Sequence, residues 1–216
     1  MEFELSKPNL YLITSGEMTA ATTPYTEDFA RLLKLISAAV SAGLTLIQIR
    51  EKNLTARVLY ELSLQAVVVA RGTTTRLLVN DRADIARAVG ADGVHLTASS
   101  LSAAILRKAF GKDFLIGVSS HSLDEAQTAR AEGADFAVFG PVFETSSKRI
   151  YGEPLGLEKL AEVTTTLAPF PVLALGGVTV DNARDCLRAG AAGIAGISLF
   201  NQVSDLQQVI QVVQSR

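Results

Sequence analysis

Short, uninterrupted apolar runs alternate along the whole chain with longer segments that have helical periodicity. The runs predict eight β-strands, at residues 9–14, 45–51, 76–80, 93–96, 114–119, 136–142, 171–177 and 193–198. The segments between them repeat apolar residues every three to four positions and predict eight helices, at 29–41, 56–71, 85–89, 101–110, 123–132, 157–167, 180–189 and 204–213. Each predicted strand is therefore followed by its own helix.

The order of these elements predicts the fold. Strands without polar interruptions are typical of parallel strands that helices cover. Glycine follows several of the helices, at Gly43, Gly90, Gly133 and Gly190, where it suits the left-handed backbone of a helix end. Eight β-α units in residues 1–216 predict a single-domain α/β protein, a (β/α)8 TIM barrel near the lower size limit of that fold. The alternative is a doubly wound open sheet, but the first strand ends in ITSG and lacks that fold's glycine fingerprint.

Composition narrows the classes of partner. The chain is 48% hydrophobic, and 20 basic against 22 acidic residues give a net charge of −2. This balance lacks the basic surface of nucleic-acid-binding proteins, and no apolar run reaches the ~18 residues of a membrane span. One cysteine, Cys186, and two histidines, His95 and His121, disfavour disulfides and cysteine- or histidine-rich metal clusters. We expect a cytoplasmic protein that binds neither nucleic acid nor membrane; its oligomeric state stays open, a homo-oligomer included.

Polar side chains follow the predicted strands at their carboxyl ends. They are Gln48, Arg50, Lys52, Asn80, Asp81, His95, Ser119, His121, Thr145, Lys148 and Ser198. The carboxyl ends of all strands of a TIM barrel meet at one rim, where active sites are built. The sequence therefore predicts that these side chains surround one mouth.

The second strand presents an amide and two cations. Gln48, Arg50 and Lys52 are spaced two apart, so on a strand they share one face. Two cations on one face favour binding of a polyanion such as diphosphate. The alternative is an internal layer of ion pairs with Glu51 or Asp81.

A carboxylate directly follows the third strand. Asp81 comes after an apolar run, and one or two carboxylates beside substrate phosphates are what Mg²⁺ takes in proteins. The alternative is an N-cap of the next helix, which for this residue taken alone is the more common role.

Glycines and a long loop predict a phosphate site. The pair Gly176-Gly177 follows the seventh strand and Ser198 ends the eighth, where barrels hold phosphate on backbone N–H groups. The segment 143–156 is a long connection that contains hydroxyl residues and Lys148, which suit phosphate oxygens. The alternatives are an ordinary tight turn for the glycine pair and a solvated surface loop.

Seven stretches together resemble the thiamine-phosphate synthase and TenI-like family. They are QIREK (48–52), VNDRADIA (79–86), GADGVHL (90–96), GVSSHS (117–122), GADFAVFGPVFETSSK (133–148), LGGVT (175–179) and AGAAGIAGIS (189–198). The resemblance covers nearly the whole chain in order. It implies a barrel enzyme that joins hydroxymethylpyrimidine diphosphate to thiazole phosphate, releasing diphosphate and forming thiamine phosphate.

The resemblance also implies roles for individual residues. The pyrimidine diphosphate would be held by Gln48, Arg50, Lys52, Asn80, Ser119 and Lys148. Ser119 and Lys148 would act in the chemical step, and Asp81 would bind Mg²⁺. Thr145 would contact the thiazole phosphate, together with the backbone at Gly177, Ile197 and Ser198.

The sequence departs from the synthase pattern at two places, and a different reaction is therefore an alternative. Synthase-like members carry a second metal carboxylate in a stretch like GQED, where this chain reads TASS and has Ser100. The loop reads TSSK (145–148) instead of T-x-T-K. Both features favour the TenI-like branch, whose resemblance implies cofactor-independent aromatisation of thiazole phosphate with His121 as general base. His121 as a residue that opens a helix, and a non-catalytic phosphate-binding barrel, are the remaining alternatives.

Overall fold

In the computed structural model, which describes residues 8–145, 153–201, 203 and 206–214, strands and helices alternate throughout. The strands are β1 (Asn9–Ile13), β2 (Leu46–Ile49), β3 (Arg76–Asn80), β4 (Gly93–Leu96), β5 (Leu115–Ser120), β6 (Phe136–Phe139), β7 (Val172–Ala174) and β8 (Gly193–Gly196). The helices are α1 (Glu27–Ser41), α2 (Ala56–Ala70), α3 (Ala83–Val89), α4 (Ala103–Phe110), α5 (Leu123–Ala131), α6 (Gly156–Leu167), α7 (Ala183–Arg188) and α8 (Leu206–Gln214). A 3₁₀ turn, Ser198–Phe200, lies between β8 and α8.

The eight strands close into a barrel. Each pairs in parallel with the next, and β8 pairs in parallel with β1, with Asn9 opposite Gly193. Closure confirms the predicted (β/α)8 TIM barrel and shows that the open-sheet alternative is wrong. The longest helices, α1 and α2, have 15 residues each. Within the residues that the structure covers, no helix combines the length and the apolar character needed to cross a bilayer.

The apolar strands are buried on both faces. In β1, Tyr11 and Ile13 pack inside the barrel with Phe136, while Leu10 and Leu12 belong to the layer between strands and helices. Successive strand side chains point to opposite faces, so a strand with no solvent-facing side needs no polar alternation. This explains why the strand runs are uninterrupted in the sequence.

Glycines end the predicted helices as expected. Gly43, Gly90, Gly133 and Gly190 have φ of +80°, +75°, +87° and +86°, the left-handed conformation that glycine adopts without steric cost.

The sixth and seventh strands end earlier than the periodicity predicts. Beyond β6 and β7 the chain still pairs irregularly, because the Val142 N–H donates to the Leu175 carbonyl (2.9 Å) and the Phe143 N–H to that of Gly176 (2.9 Å). Gly176 has a φ of +94°, which no regular strand contains. The apolar runs 136–142 and 171–177 thus extend past the barrel edge and bring two loops together on the rim.

Candidate active site

A buried side-chain amide at the end of β2 lies beside a second amide at the end of β3. The Gln48 side chain is 1% exposed, and its Nε2 donates to the Asn80 Oδ1 at 2.9 Å. The Gln48 Oε1 is buried and has no hydrogen-bond partner among the residues described. Buried polar atoms are nearly always paired in proteins, so this oxygen is an unused acceptor inside the barrel mouth.

The two predicted cations of the second strand are not neutralised by Glu51. The buried Glu51 carboxylate accepts the backbone N–H groups of Gly16 and Met18, at 3.1 Å each, and so holds the β1–α1 loop. In the described part of the chain, neither the half-buried Arg50 nor the exposed Lys52 forms an ion pair. The interpretation of an internal ion-pair layer with Glu51 or Asp81 is therefore wrong, and both cations are available to an anion.

Asp81 does not cap the helix that follows it. Its φ is +58°, whereas an N-cap residue has an extended backbone. The N-cap of α3 is Arg82, with no side-chain cap bond, and Asp84 lies in the first turn. The N-cap interpretation of Asp81 is wrong for this conformational reason. A left-handed conformation in a residue other than glycine costs energy and often marks a functional site, and here it leaves the carboxylate exposed at the rim.

A cavity of about 310 Å³ opens between the ends of β2, β3 and β4. Lys52, Asn80, Asp81 and Arg82 contribute to its wall, so three predicted site residues meet there. A larger cavity of about 480 Å³ lies between α1 and the β1–α1 loop. None of the predicted site residues lines it, and the smaller cavity is the better candidate for substrate.

The donors at this cavity fit a magnesium ion only in company with substrate phosphates. Asp81 supplies one hard carboxylate, and no cluster of three or more His, Cys, Asp or Glu side chains exists among the described residues. Ser100 supplies a neutral hydroxyl where a second carboxylate would stand, and its Oγ accepts the Thr97 N–H at 2.8 Å. Mg²⁺ binds through one or two carboxylates plus phosphate oxygens and water, so these residues fit an ion that arrives with a diphosphate.

Three side chains inside the barrel form a hydrogen-bonded row that sequence patterns did not reveal. The His95 ring is 2% exposed; its Nε2 lies 2.9 Å from the Ser119 Oγ and its Nδ1 3.2 Å from the Tyr11 hydroxyl. Burial, with a smaller contribution from the Arg50 charge, lowers the pKa of His95 to about 3. Burial also raises the pKa of Tyr11 well above its usual value. At neutral pH both groups are uncharged.

His121 is attached to the start of α5. Its backbone N–H donates to the Glu125 Oε2 at 2.7 Å, and its Nδ1 lies 3.2 Å from the same oxygen. Ser122, the N-cap residue, accepts the Glu125 N–H at 3.1 Å. These bonds support the interpretation that His121 opens the helix, and they also give its imidazole a carboxylate partner.

The glycine pair after β7 lies against the beginning of the long loop. Gly177 has a φ of +65°, and a Cβ there would collide with the Glu144 carbonyl oxygen and lie 2.7 Å from the Phe143 Cβ. The Asn182 Nδ2 donates to the Gly177 carbonyl at 3.0 Å. Only glycine therefore permits this approach of the two loops.

The segments predicted to bind phosphate follow β6, β7 and β8, which are adjacent strands of the barrel. Half-buried Thr145 follows the loop segment that contacts Gly177. Ile197 and Ser198 begin the 3₁₀ turn after β8, which pairs with β7. Lys148 lies outside the described residues, so its predicted role stays a prediction.

Several known proteins that are similar to this chain are named as thiamine-phosphate synthases. A protein-family profile described as thiamine monophosphate synthase matches residues 10–200. A putative thiamine-phosphate synthase of Geobacter sulfurreducens is 45% identical over 190 residues, 88% of this chain and 85% of that protein. A thiamine-phosphate synthase of Clostridium novyi is 39% identical over 198 residues, 92% of this chain and 93% of that protein. The thiamine phosphate pyrophosphorylase structure from Pyrococcus furiosus superposes with a TM-score of 0.81 at 31% identity, covering 97% and 96% of the two chains.

Proposed function

The chain belongs to the thiamine monophosphate synthase family, and on that premise we propose that it couples hydroxymethylpyrimidine diphosphate to thiazole phosphate with release of diphosphate. It is an enzyme of thiamine biosynthesis of the transferase type. The observation that carries the substrate assignment is the unused Gln48 Oε1 at a mouth that also holds two cations without ion-pair partners in the described chain.

The Gln48 oxygen suits the aminopyrimidine end of the substrate. An unmade hydrogen bond at a buried acceptor costs roughly 1–3 kcal/mol. Because Gln48 Nε2 is bonded to Asn80, the oxygen is the end of the amide that would face a ligand. An amino group on the pyrimidine ring is a donor of the kind that this oxygen lacks.

Arg50 and Lys52 suit the diphosphate end. Negative charge grows on the departing oxygens as the bond between pyrimidine methylene and diphosphate breaks. Cations already held at that position stabilise the transition state more than the ground state. Arg50 offers a planar fork for phosphate oxygens, and Lys52 a compact charge at the cavity wall.

Asp81 would hold a magnesium ion together with the diphosphate. When bound, the ion neutralises charge on the diphosphate oxygens. The chain's own contribution is to orient the Asp81 carboxylate through its left-handed backbone and through the bond from its N–H to the His95 carbonyl, at 2.9 Å.

The thiazole phosphate would be bound at the opposite side of the mouth. Gly177 brings its backbone close to the long loop without a side chain, and Ser198 begins a helical turn. The first N–H groups of a helical turn lack acceptors within it and suit a phosphate. Thr145 adds a hydroxyl from the loop.

We also propose a cytoplasmic location and small phosphorylated molecules as the partners. The net charge of −2 supports the absence of nucleic acid.

A direct assay tests the proposed reaction. We expect the protein, given both substrates and Mg²⁺, to form thiamine phosphate and diphosphate in equal amounts, measured by chromatography and a coupled diphosphate assay. Consumption of neither substrate at saturating Mg²⁺ would contradict the proposal. A parallel reaction contains the unaromatised thiazole phosphate alone, with EDTA.

A tautomerase is the second candidate, and the His121–Glu125 pair is the observation that favours it. A carboxylate that holds one imidazole nitrogen orients the other for proton transfer. Conversion of the unaromatised thiazole in EDTA, together with its loss in His121→Asn, would establish this reaction. Equal rates for His121→Asn and the unaltered protein would eliminate it.

Restoring the missing carboxylate is expected to strengthen magnesium binding. Ser100→Asp keeps an oxygen that can accept the Thr97 N–H and adds a charge at the position where synthase-like members have a metal ligand. The Mg²⁺ concentration for half-maximal coupling should fall by about tenfold, because ligand charge sets affinity for hard cations. The control is Ser99→Asp, which adds the same charge one residue earlier, at the wall of the cavity that Asp81 also lines. An equal effect of both variants would show that only the local field, and not ligation, has changed.

A further inference from the structure

A row of three side chains crosses the barrel interior near its mouth. Tyr11 extends from β1, His95 from β4 and Ser119 from β5. The Tyr11 hydroxyl lies 3.2 Å from the His95 Nδ1, and the His95 Nε2 lies 2.9 Å from the Ser119 Oγ. Phe136 packs beside both rings, with centroids 5.7 Å from Tyr11 and 6.2 Å from His95. The row is thus enclosed on its inner side and ends at the half-buried Ser119.

The direction of hydrogen bonding follows from the number of hydrogens available. The Tyr11 side chain is fully buried, and the His95 Nδ1 is the partner that the structure assigns to its hydroxyl. If Nδ1 carried a hydrogen, the Tyr11 proton would be buried without an acceptor among the residues that the structure describes, which is costly. The Tyr11 hydroxyl therefore donates to Nδ1. An uncharged imidazole then has its hydrogen on Nε2, and that N–H donates to the Ser119 Oγ.

This direction of hydrogen bonding, from Tyr11 to His95 and from His95 to Ser119, gives the Ser119 hydroxyl one defined role. Its oxygen accepts from His95, so its own hydrogen points away from the row, and the imidazole lone pair that could have taken that hydrogen is occupied by Tyr11. We propose that Tyr11 and His95 are positioning residues that make the Ser119 hydroxyl a hydrogen-bond donor to the anionic oxygens of the bound ligand. The identity of that ligand as a diphosphate rests on the proposed function; the direction of the bonds does not.

The packing holds the imidazole in this orientation. Gly117 lies opposite His95 in the strand register, and a Cβ at Gly117 would lie 2.8 Å from the His95 Nδ1 and overlap the Phe136 ring. The glycine therefore makes the space that the ring fills. With Tyr11 on one side and Phe136 on the other, the ring stays where both nitrogens are bonded.

Nitrogen-15 NMR tests the bond direction without any substrate. The full chain contains two histidines, so His121→Asn identifies the signals of His95. We expect a pyridine-type shift for Nδ1 and a pyrrole-type shift with a directly bonded hydrogen for Nε2. The reverse pattern would overturn the proposal. Because this readout uses the folded protein alone, it stays decisive even if the coupling reaction is absent or a variant fails to fold.

Kinetics test the consequence for the reaction through Ser119. Tyr11→Phe should lower kcat about tenfold while KM stays within about twofold, the effect of one hydrogen bond made more strongly in the transition state. In a Ser119→Ala background the same change should alter kcat less than about twofold, since the group that Tyr11 orients is gone. The same factor in both backgrounds would indicate a merely structural role and overturn the proposal.

A matched control lies next to Ser119 on the same strand. Ser120 is buried, and its Oγ is 3.5 Å from the Val138 carbonyl, outside the row. In a Ser120→Ala background, Tyr11→Phe should keep its full tenfold effect. If the unaltered protein shows no coupling while the NMR pattern is as expected, the proposed function fails and the hydrogen-bond assignment stands.

Discussion

Arg50→Ala is expected to lower kcat/KM for the coupling reaction by about 10³-fold, the scale on which preorganised charge stabilises a transition state. Arg50 extends from the end of β2, is half-buried, and has no carboxylate partner in the described chain. Its guanidinium also packs on Gly16, whose Cβ would lie 3.1 Å from one terminal nitrogen. The charge is thus held in place before substrate arrives. Steady-state rates with varied diphosphate substrate measure the effect.

Two further variants test whether the effect of Arg50→Ala depends on the position of the charge and on the planar shape of the guanidinium group. Arg57→Ala removes an exposed cation from the first turn of α2 and should leave kcat/KM within about twofold, since a solvent-exposed charge is screened by salt. Arg50→Lys keeps the charge but not the planar fork and should recover only part of the loss. If Arg50→Ala and Arg57→Ala have the same small effect, Arg50 takes no part in the reaction.

Gly177→Ala is expected to lower the free energy of unfolding by about 3 kcal/mol, from backbone strain plus overpacking. The φ of +65° disfavours any side chain, and the added Cβ would collide with the Glu144 carbonyl oxygen. To avoid that collision, the chain after β7 has to move away from the long loop. KM for thiazole phosphate should then rise by at least about tenfold, the cost of one lost hydrogen bond to phosphate. Urea denaturation and steady-state kinetics measure the two effects.

Gly43→Ala provides the matched control for backbone strain. Gly43 has a φ of +80°, but apart from its chain neighbours no heavy atom of the described residues lies within 4 Å of the position that a Cβ would take. Its replacement should cost only about 1 kcal/mol and leave both KM values unchanged. Equal losses of stability in the two variants would show that the contact of Gly177 with the loop is not tight in solution.

Local patterns in the sequence are sufficient to predict the strands and helices and to predict which polar residues lie at the rim of the barrel. All eight predicted strands and helices are present among the described residues, with ends displaced by a few positions. The largest displacements, of three positions, are at the ends of the sixth and seventh strands and at the start of the seventh helix. After the seventh strand, Gly176 and Gly177 take positive φ and the pairing becomes irregular. A hydrophobic run shows burial, but it does not show where the backbone leaves the sheet.

The type of a residue leaves alternative roles open where a conformation or a distant partner decides between them. Asp81 suits a helix cap by type, and only its left-handed φ excludes that role. Glu51 is by type and position an ion-pair partner for the two cations, yet its carboxylate binds the N–H groups of Gly16 and Met18, more than 30 residues away. Neither φ nor the partner of a side chain is encoded by residue type alone.

The sequence by itself determined the barrel, the side of the barrel on which polar groups gather, and the family, because periodicity and short motifs are local properties of the chain. Only the tertiary structure decided that the Gln48 oxygen has no hydrogen-bond partner among the described residues, that Asp81 is not the cap of the helix after it, and that Tyr11, His95 and Ser119 form one row. Those three residues are 84 and 24 positions apart in turn along the chain. They meet because closure of the sheet turns alternate side chains of distant strands toward one interior, where burial makes each unpaired hydrogen bond costly and so selects the order of donors and acceptors.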